Sequence, residues 1–109
     1  MQQAPFTYDE AEEIAEDFED LADTSFRTAE GAVYSIDNVL ACPFDAKEQA
    51  LFTGLYLKTG NKNEALATYN VKDFDVIVLA YTETEDKDYK AFDIRSFAEL
   101  RGIKYSFPR

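Results

Sequence analysis

The sequence predicts an α+β fold: an N-terminal amphipathic helix packed on a mainly antiparallel sheet of about four to six strands, then a short C-terminal helix and a closing strand. Three observations carry this. Ala11, Ile14, Ala15, Phe18, Leu21 and Ala22 recur at helical spacing near the N-terminus. Ala32 to Cys42 alternates like a strand with one buried face. Val76-Ile77-Val78-Leu79-Ala80-Tyr81 is apolar on both faces, the signature of a central strand. The chain has 109 residues, the size of one domain, and no linker, repeat or low-complexity segment divides it, so residues 1–109 are read as a single domain.

The helix is expected over residues 8–23. Thr7-Tyr8-Asp9-Glu10 reads as a capping box, in which the Thr7 hydroxyl accepts from the third helical amide and Glu10 reaches back to the Thr7 amide. Phe6 before the cap and Ala11 are placed for a staple contact. At about 100° per residue the apolar positions fall in an arc of roughly 120°. Glu12, Glu13, Glu16, Asp17, Glu19, Asp20 and Asp23 fall on the opposite side.

Gly31 opens the next strand and Pro43 closes it. Tyr34, Ile36, Leu40 and Cys42 share one face by alternation, which Asn38 interrupts. Residues 45–70 admit two readings. The preferred one is a β-hairpin, with Leu51, Leu55 and Leu57 on one face, Phe52 and Tyr56 on the other, and Gly60-Asn61-Lys62-Asn63 turning into a second arm from Glu64 to Asn70. The alternative is a helical hairpin, because Leu55 to Tyr69 resembles the helix–turn–helix of a tetratricopeptide repeat, present here once. After the central strand, Glu83 to Asp88 is a charged turn. Tyr89 to Ile94 suits a strand or the start of a helix. Ser96-Phe97-Ala98-Glu99 is a second capping-box pattern with Gly102 placed to end the helix, and Ile103 to Phe107 reads as a short closing strand.

Composition narrows the chemistry. Histidine is absent, which removes Ser-His and Cys-His nucleophile pairs and histidine metal ligands. The single cysteine, Cys42, cannot form an internal disulfide and reads as a buried, inert thiol. The N-terminus has no basic region followed by an apolar one, and no apolar run approaches the roughly 20 residues that span a bilayer. These features predict a cytoplasmic protein with no membrane segment.

The net charge of −11 is unevenly placed. Residues 1–30 hold ten acids and one base, net −9, and residues 31–109 only −2. A surplus of this sign repels nucleic-acid backbones, so no direct nucleic-acid binding is expected, and it attracts basic proteins. Glu12/Glu16, Glu13/Asp17, Glu16/Asp20 and Glu19/Asp23 are like-charge pairs four apart, each costing about 0.2–0.5 kcal/mol when exposed. Asp20 and Asp23 also oppose the dipole at the helix C-terminus. The plainer reading is a solvated face whose repulsion is screened by salt. The functional one is a docking surface for a basic partner formed by Glu12, Glu13, Glu16, Asp17, Glu19, Asp20 and Asp23.

A second candidate is an oxygen-only site for Mg²⁺ or Mn²⁺ built from Asp37, Asp73 and Asp75. Two short stretches bear on it. Ile36-Asp37-Asn38-Val39-Leu40 and Ala67-Thr68-Tyr69-Asn70-Val71-Lys72-Asp73-Phe74 resemble the first and late acidic motifs of PIN-domain ribonucleases. The resemblance implies that Asp37 and Asp73 hold a catalytic metal. The stretches lie closer together than in that family, without room for the helices that supply its further acids.

From these features the function expected is a non-catalytic protein-interaction module, of inhibitor or immunity type, using its acidic helix face and no cofactor. The alternatives are a carboxylate-metal hydrolase and a small-molecule binding module with a Tyr/Phe-lined pocket in the sheet. The sequence leaves the oligomeric state open.

Overall fold

The computed structural model describes residues 5–67, 69 and 71–108. The element order is α1 (Tyr8–Asp17), a 3-10 turn (Glu19–Leu21), β1 (Ser25–Arg27), β2 (Val33–Pro43), α2 (Ala46–Thr59), α3 (Lys62–Ala67), β3 (Phe74–Thr82), β4 (Tyr89–Asp93) and α4 (Ile94–Arg101). The four strands form one antiparallel sheet in the order β1-β2-β3-β4. The α+β class, the N-terminal helix on the sheet and the C-terminal helix after the last strand are as expected.

The capping box forms as its residues dictate. The Glu10 amide donates to Thr7 Oγ1 at 3.1 Å and the Thr7 amide to Glu10 Oε1 at 2.8 Å. Just before it, Phe6 and Phe74 exchange backbone hydrogen bonds of 2.8 and 2.9 Å, which tie the helix start to β3. The α-helix ends at Asp17, short of the expected residue 23. Its last turn carries no base, and Asp17, Glu19 and Asp20 oppose the dipole there, so the chain tightens into the 3-10 turn. Leu21 and Ala22 then donate to the carbonyls of Phe18 and Glu19, three residues back.

β1 is an unforeseen strand of three residues, too short to leave an alternating pattern. Its hairpin to β2 closes through Thr28, whose amide donates to the Ala32 carbonyl, with Gly31 at φ 89°. In β2 a bulge sits between Ile36 and Asn38: Ile36 pairs with Ala80 and Asn38 with Leu79, so Asp37 is the extra residue. One inserted residue reverses the parity of every side chain after it. Tyr34 and Ile36 therefore face the α1–α4 side of the sheet with Val39 and Ala41, whereas Leu40 and Cys42 face the α2–α3 side. The single face expected for Tyr34, Ile36, Leu40 and Cys42 is split at Asp37.

The β-hairpin preferred for residues 45–70 is incorrect; the segment is the helical hairpin of α2 and α3. Asp45 caps α2 by accepting from the Glu48 amide at 3.0 Å. Gly60 ends it in the left-handed region at φ 71°, and Asn61 Oδ1 accepts from the amides of Asn63 and Glu64 to start α3. The strand pattern misled because α2 has apolar residues on more than one side, leaving no clean helical stripe. Leu51 stays 57% exposed while Phe52 is fully buried. Thr68 and Asn70, in the expected second arm, lie outside the described residues.

The sheet is thus covered on both faces. Phe6, Ile14, Phe18, Phe26, Ile94 and Phe97 fill one side, and Phe52 and Ala65 meet Leu40, Cys42, Ile77 and Leu79 on the other. α4 begins at Ile94 with Asp93 as its cap, three residues before the expected cap Ser96, which instead donates to Asp93. Gly102 ends it as expected, at φ 68°. Ile103, Tyr105 and Phe107 do point alternately inward, but they pack on the α1–α4 core and pair with no strand, so the closing strand is an extended segment. No helix among the described residues is long and apolar enough to cross a membrane.

The helical assignment of residues 46–59 makes opposite predictions for two glycines. A Cβ at either would meet nothing within 4 Å, but Gly60 has φ 71° and Gly54 does not lie in the left-handed region. Gly54→Ala should stabilise the protein by about 0.5–1 kcal/mol and Gly60→Ala should destabilise it by about 1 kcal/mol, read by urea denaturation.

Candidate functional site

α1 is held against the sheet by Ile14 and Phe18, 1% and 5% exposed, which turns its polar side outward. Glu13, Glu16 and Asp17 stand exposed on it, and the 3-10 turn and the residues after it add Glu19, Asp20 and Asp23. Asp23 occupies the left-handed region at φ 70°, where its amide donates to the Ile36 carbonyl at 2.9 Å. Glu12 is half-buried and differs from the rest. Its Oε2 lies 3.6 Å from Lys62 Nζ of α3, and its Oε1 accepts from the Tyr8 hydroxyl at 2.7 Å. That ion pair crosses a groove of about 200 Å³ lined by Glu12, Glu16, Glu19, Asn38 and Lys62, beside the β2 bulge. Since the α-helix stops at Asp17, the helical like-charge pairs reduce to Glu12/Glu16 and Glu13/Asp17, one of which Lys62 relieves.

The extended C-terminal segment also reaches this face. The Tyr105 ring packs 4.9 Å from Phe18 and its hydroxyl donates to Asp17. Burial first, then the hydrogen bond to Asp17 and the charges of Asp17 and Glu13, push the Tyr105 phenol up to about 12. Tyr8 is raised too, chiefly by its hydrogen bond to Glu12. Tyr105 was not legible as a member of this face, because nothing local links it to Asp17.

A different set of acids lies inside the sheet. Asp75, on β3, is 7% exposed, and its Oδ1 accepts from the Val76 amide at 2.8 Å. Its cross-strand partner is Cys42, fully buried, whose thiol takes a 3.4 Å contact from the Gln49 amide nitrogen. Burial, followed by the charge of Asp75, drives the Cys42 thiol far up, so it stays protonated and inert. The Asp75 carboxyl is raised from 3.8 to about 6, mainly by burial and further by the nearby Asp93, the α4 cap.

The three aspartates proposed for a metal are placed apart. Asp37 is the half-buried bulge residue of β2, roughly 15 Å along the strand from Cys42, which pairs with Asp75. Asp73 is exposed, one residue before β3, and its carbonyl accepts from the Phe44 amide at 3.0 Å. It lines a groove of about 550 Å³ with Asp45, Glu48 and Lys72, from which Asp75 is absent. Among the described residues no group of three or more Cys, Asp or Glu side chains is arranged to hold a metal ion. As for an aromatic pocket, a groove of about 430 Å³ between β4, α4 and the β1–β2 turn has Phe92 and Phe97 in its wall, with Lys90 and Asp93.

Tyr105→Phe keeps the ring contacts and deletes the hydroxyl that meets Asp17. It should cost about 1 kcal/mol of stability at pH 7 by chemical denaturation, and a spectrophotometric titration should lose a phenol that ionises near 12. Comparison with known protein families, curated proteins and solved structures finds no match to this chain, so its function is argued from its own residues.

Proposed function

We propose that this protein is a non-catalytic interaction module, of the inhibitor or immunity kind, that meets a basic protein through the face formed by α1 and the 3-10 turn. One observation carries the reading: Glu13, Glu16, Asp17, Glu19, Asp20 and Asp23 stand exposed together, with no base in the last turn of α1 to balance them. Such a face costs its own helix some stability, yet it sits on an element fixed by a buried apolar side, which makes it a preformed surface. Charges arranged this way raise the association rate with a basic partner and reject acidic ones, nucleic acids included. The reading needs no cofactor. It places the protein in the cytoplasm, where a single buried thiol stays reduced.

The structure sharpens which carboxylates to test. Glu12 already has Lys62 and Tyr8, so the free charge is carried by its neighbours. A partner recovered with the tagged protein and then purified should be basic, and its Kd should rise about tenfold or more between roughly 50 and 300 mM NaCl. Reversing Glu13, Glu16 and Glu19 to Lys should weaken binding by at least about tenfold, while reversing Glu83, Glu85 and Asp86 in the β3–β4 turn should not. A partner whose affinity ignores both salt and the first triple reversal would overturn the reading.

A further inference from the structure

The sheet ends in two edge strands of different character. β1 is three residues long and follows closely on Glu19, Asp20 and Asp23, so a strand of this acidic protein laid beside it meets like charge. β4 pairs with β3 alone, and its five residues, Tyr89-Lys90-Ala91-Phe92-Asp93, carry one base and one acid. α1 packs over β2 and β3, and α4 over β3 and β4, so the acidic face of α1 is set back from the β4 edge.

The hairpin register decides which backbone groups that edge presents. The Thr82 amide donates to the Asp88 carbonyl at 3.1 Å, after which Tyr81 pairs with Tyr89, Ala80 with Lys90 and Leu79 with Ala91. Hydrogen-bonded and non-hydrogen-bonded pairs alternate along an antiparallel ladder. Lys90 therefore turns its amide and carbonyl to β3, while those of Tyr89 and Ala91 point away from the sheet. Ala91 is half-buried and Tyr89 is exposed. The groove of about 430 Å³ runs beside this edge, with Lys90, Ala91 and Phe92 in one wall and Phe97 and Leu100 of α4 in another, Leu100 being 48% exposed. A lysine commonly guards an edge strand by projecting past it. Here Lys90 Nζ lies 5.2 Å from the centre of its own Phe92 ring, laid on the face of the sheet.

We propose that β4 is a self-association edge: a second copy of this chain adds its own β4 antiparallel, about a two-fold axis at Ala91, and the two four-stranded sheets become one. The register is self-complementary. With Ala91 opposite Ala91, the outward amide and carbonyl of each meet those of the other, and Tyr89 stands opposite Asp93 of the second copy. Lys90 and Phe92 share the α4 side of the sheet. Each Lys90 then comes opposite Phe92 of the second copy, its stem across the mouth of the groove and its ammonium within reach of that ring. The flanking segments match in charge. Residues 83–88 hold four acids and one base, and residues 94–108 hold three bases and one acid. Antiparallel pairing carries the acidic turn of each copy toward the basic stretch of the other. The face of α1 stays uncovered in such a dimer, so a second copy and a basic partner do not compete.

The experiment is sedimentation velocity on the whole chain over roughly 1 to 500 μM, which should show monomer passing into dimer. Ala91→Pro removes an outward amide without touching a β3–β4 hydrogen bond. It should raise the dimer Kd at least about a hundredfold while the circular dichroism spectrum stays unchanged. Ala91→Cys tests the register. The Cα atoms of a directly opposed hydrogen-bonded pair lie about 5.5 Å apart, within disulfide reach, so mild oxidation should cross-link this variant into a dimer. Lys87→Cys, remote from the axis, should not cross-link, and the buried Cys42 does not interfere. A wild type that stays monomeric over the whole range overturns the shared edge, as does a dimer that Ala91→Pro leaves equally tight. Should the proline variant fail to fold, the cysteine pair decides: cross-linking of Ala91→Cys alone supports the two-fold at β4, and its absence, or equal cross-linking of Lys87→Cys, overturns it.

Discussion

β3 is nine residues long, and its first seven are buried, with Val76, Val78 and Ala80 on one side and Ile77 and Leu79 on the other. A strand apolar on both faces is stable only if both faces are covered, since each large side chain left in water forfeits about 1.5–3 kcal/mol of burial. The rest of the architecture answers that requirement. α1 and α4 cover one side, and the α2–α3 hairpin, inserted between β2 and β3, covers the other. A β-hairpin over residues 45–70 would have lengthened the sheet and left Leu40, Cys42, Ile77 and Leu79 exposed. The tertiary demand for a lid therefore settled a segment whose local pattern suited either structure. Phe52 and Ala65, both fully buried, are where that lid meets the sheet.

The bulge at Asp37 is the second organising constraint. It lets one strand serve both cores, with Ile36 on the α1 side and Leu40 and Cys42 on the α2 side. Alternation counted through the bulge puts these residues on one face, and only the pairing with β3 shows the change of parity. Asp37 itself is a good residue for such a position, being short, polar and half-exposed. Its placement there explains why it stands away from Asp73 and Asp75, the two acids with which the sequence grouped it.

Acidity takes two forms in this molecule, divided by access to water. On α1 and the 3-10 turn, repulsion among exposed carboxylates is screened and costs tenths of a kcal/mol for each pair. Such charges are tolerated in number, and they remain available to an outside partner. Asp75 lies in the dry layer between β2 and β4, where one carboxylate beside another is far more costly. There burial pushes the carboxyl up, while the Val76 amide and the charge of Arg95 act the other way. The C-terminal segment touches the exposed acids through Tyr105 on Asp17, and its Phe107 ring packs beside Arg95.

The sequence by itself determined the local features, those whose causes lie within a few residues. They include the Thr7–Glu10 capping box, the apolar side of α1, β2 closing at Pro43, the doubly apolar β3, Gly102 ending α4, and the acidic face with its net charge. The tertiary structure decided whatever depended on what packs opposite. It made residues 46–67 a helical lid, since β3 needed cover. It split β2 at Asp37, since strand pairing sets parity. It left 103–107 extended but unpaired, since Ile103, Tyr105 and Phe107 found their apolar contacts on the helix side of the sheet. It brought Asp75 to Asp93 and Tyr105 to Asp17, contacts between residues remote in the chain for which no local rule exists.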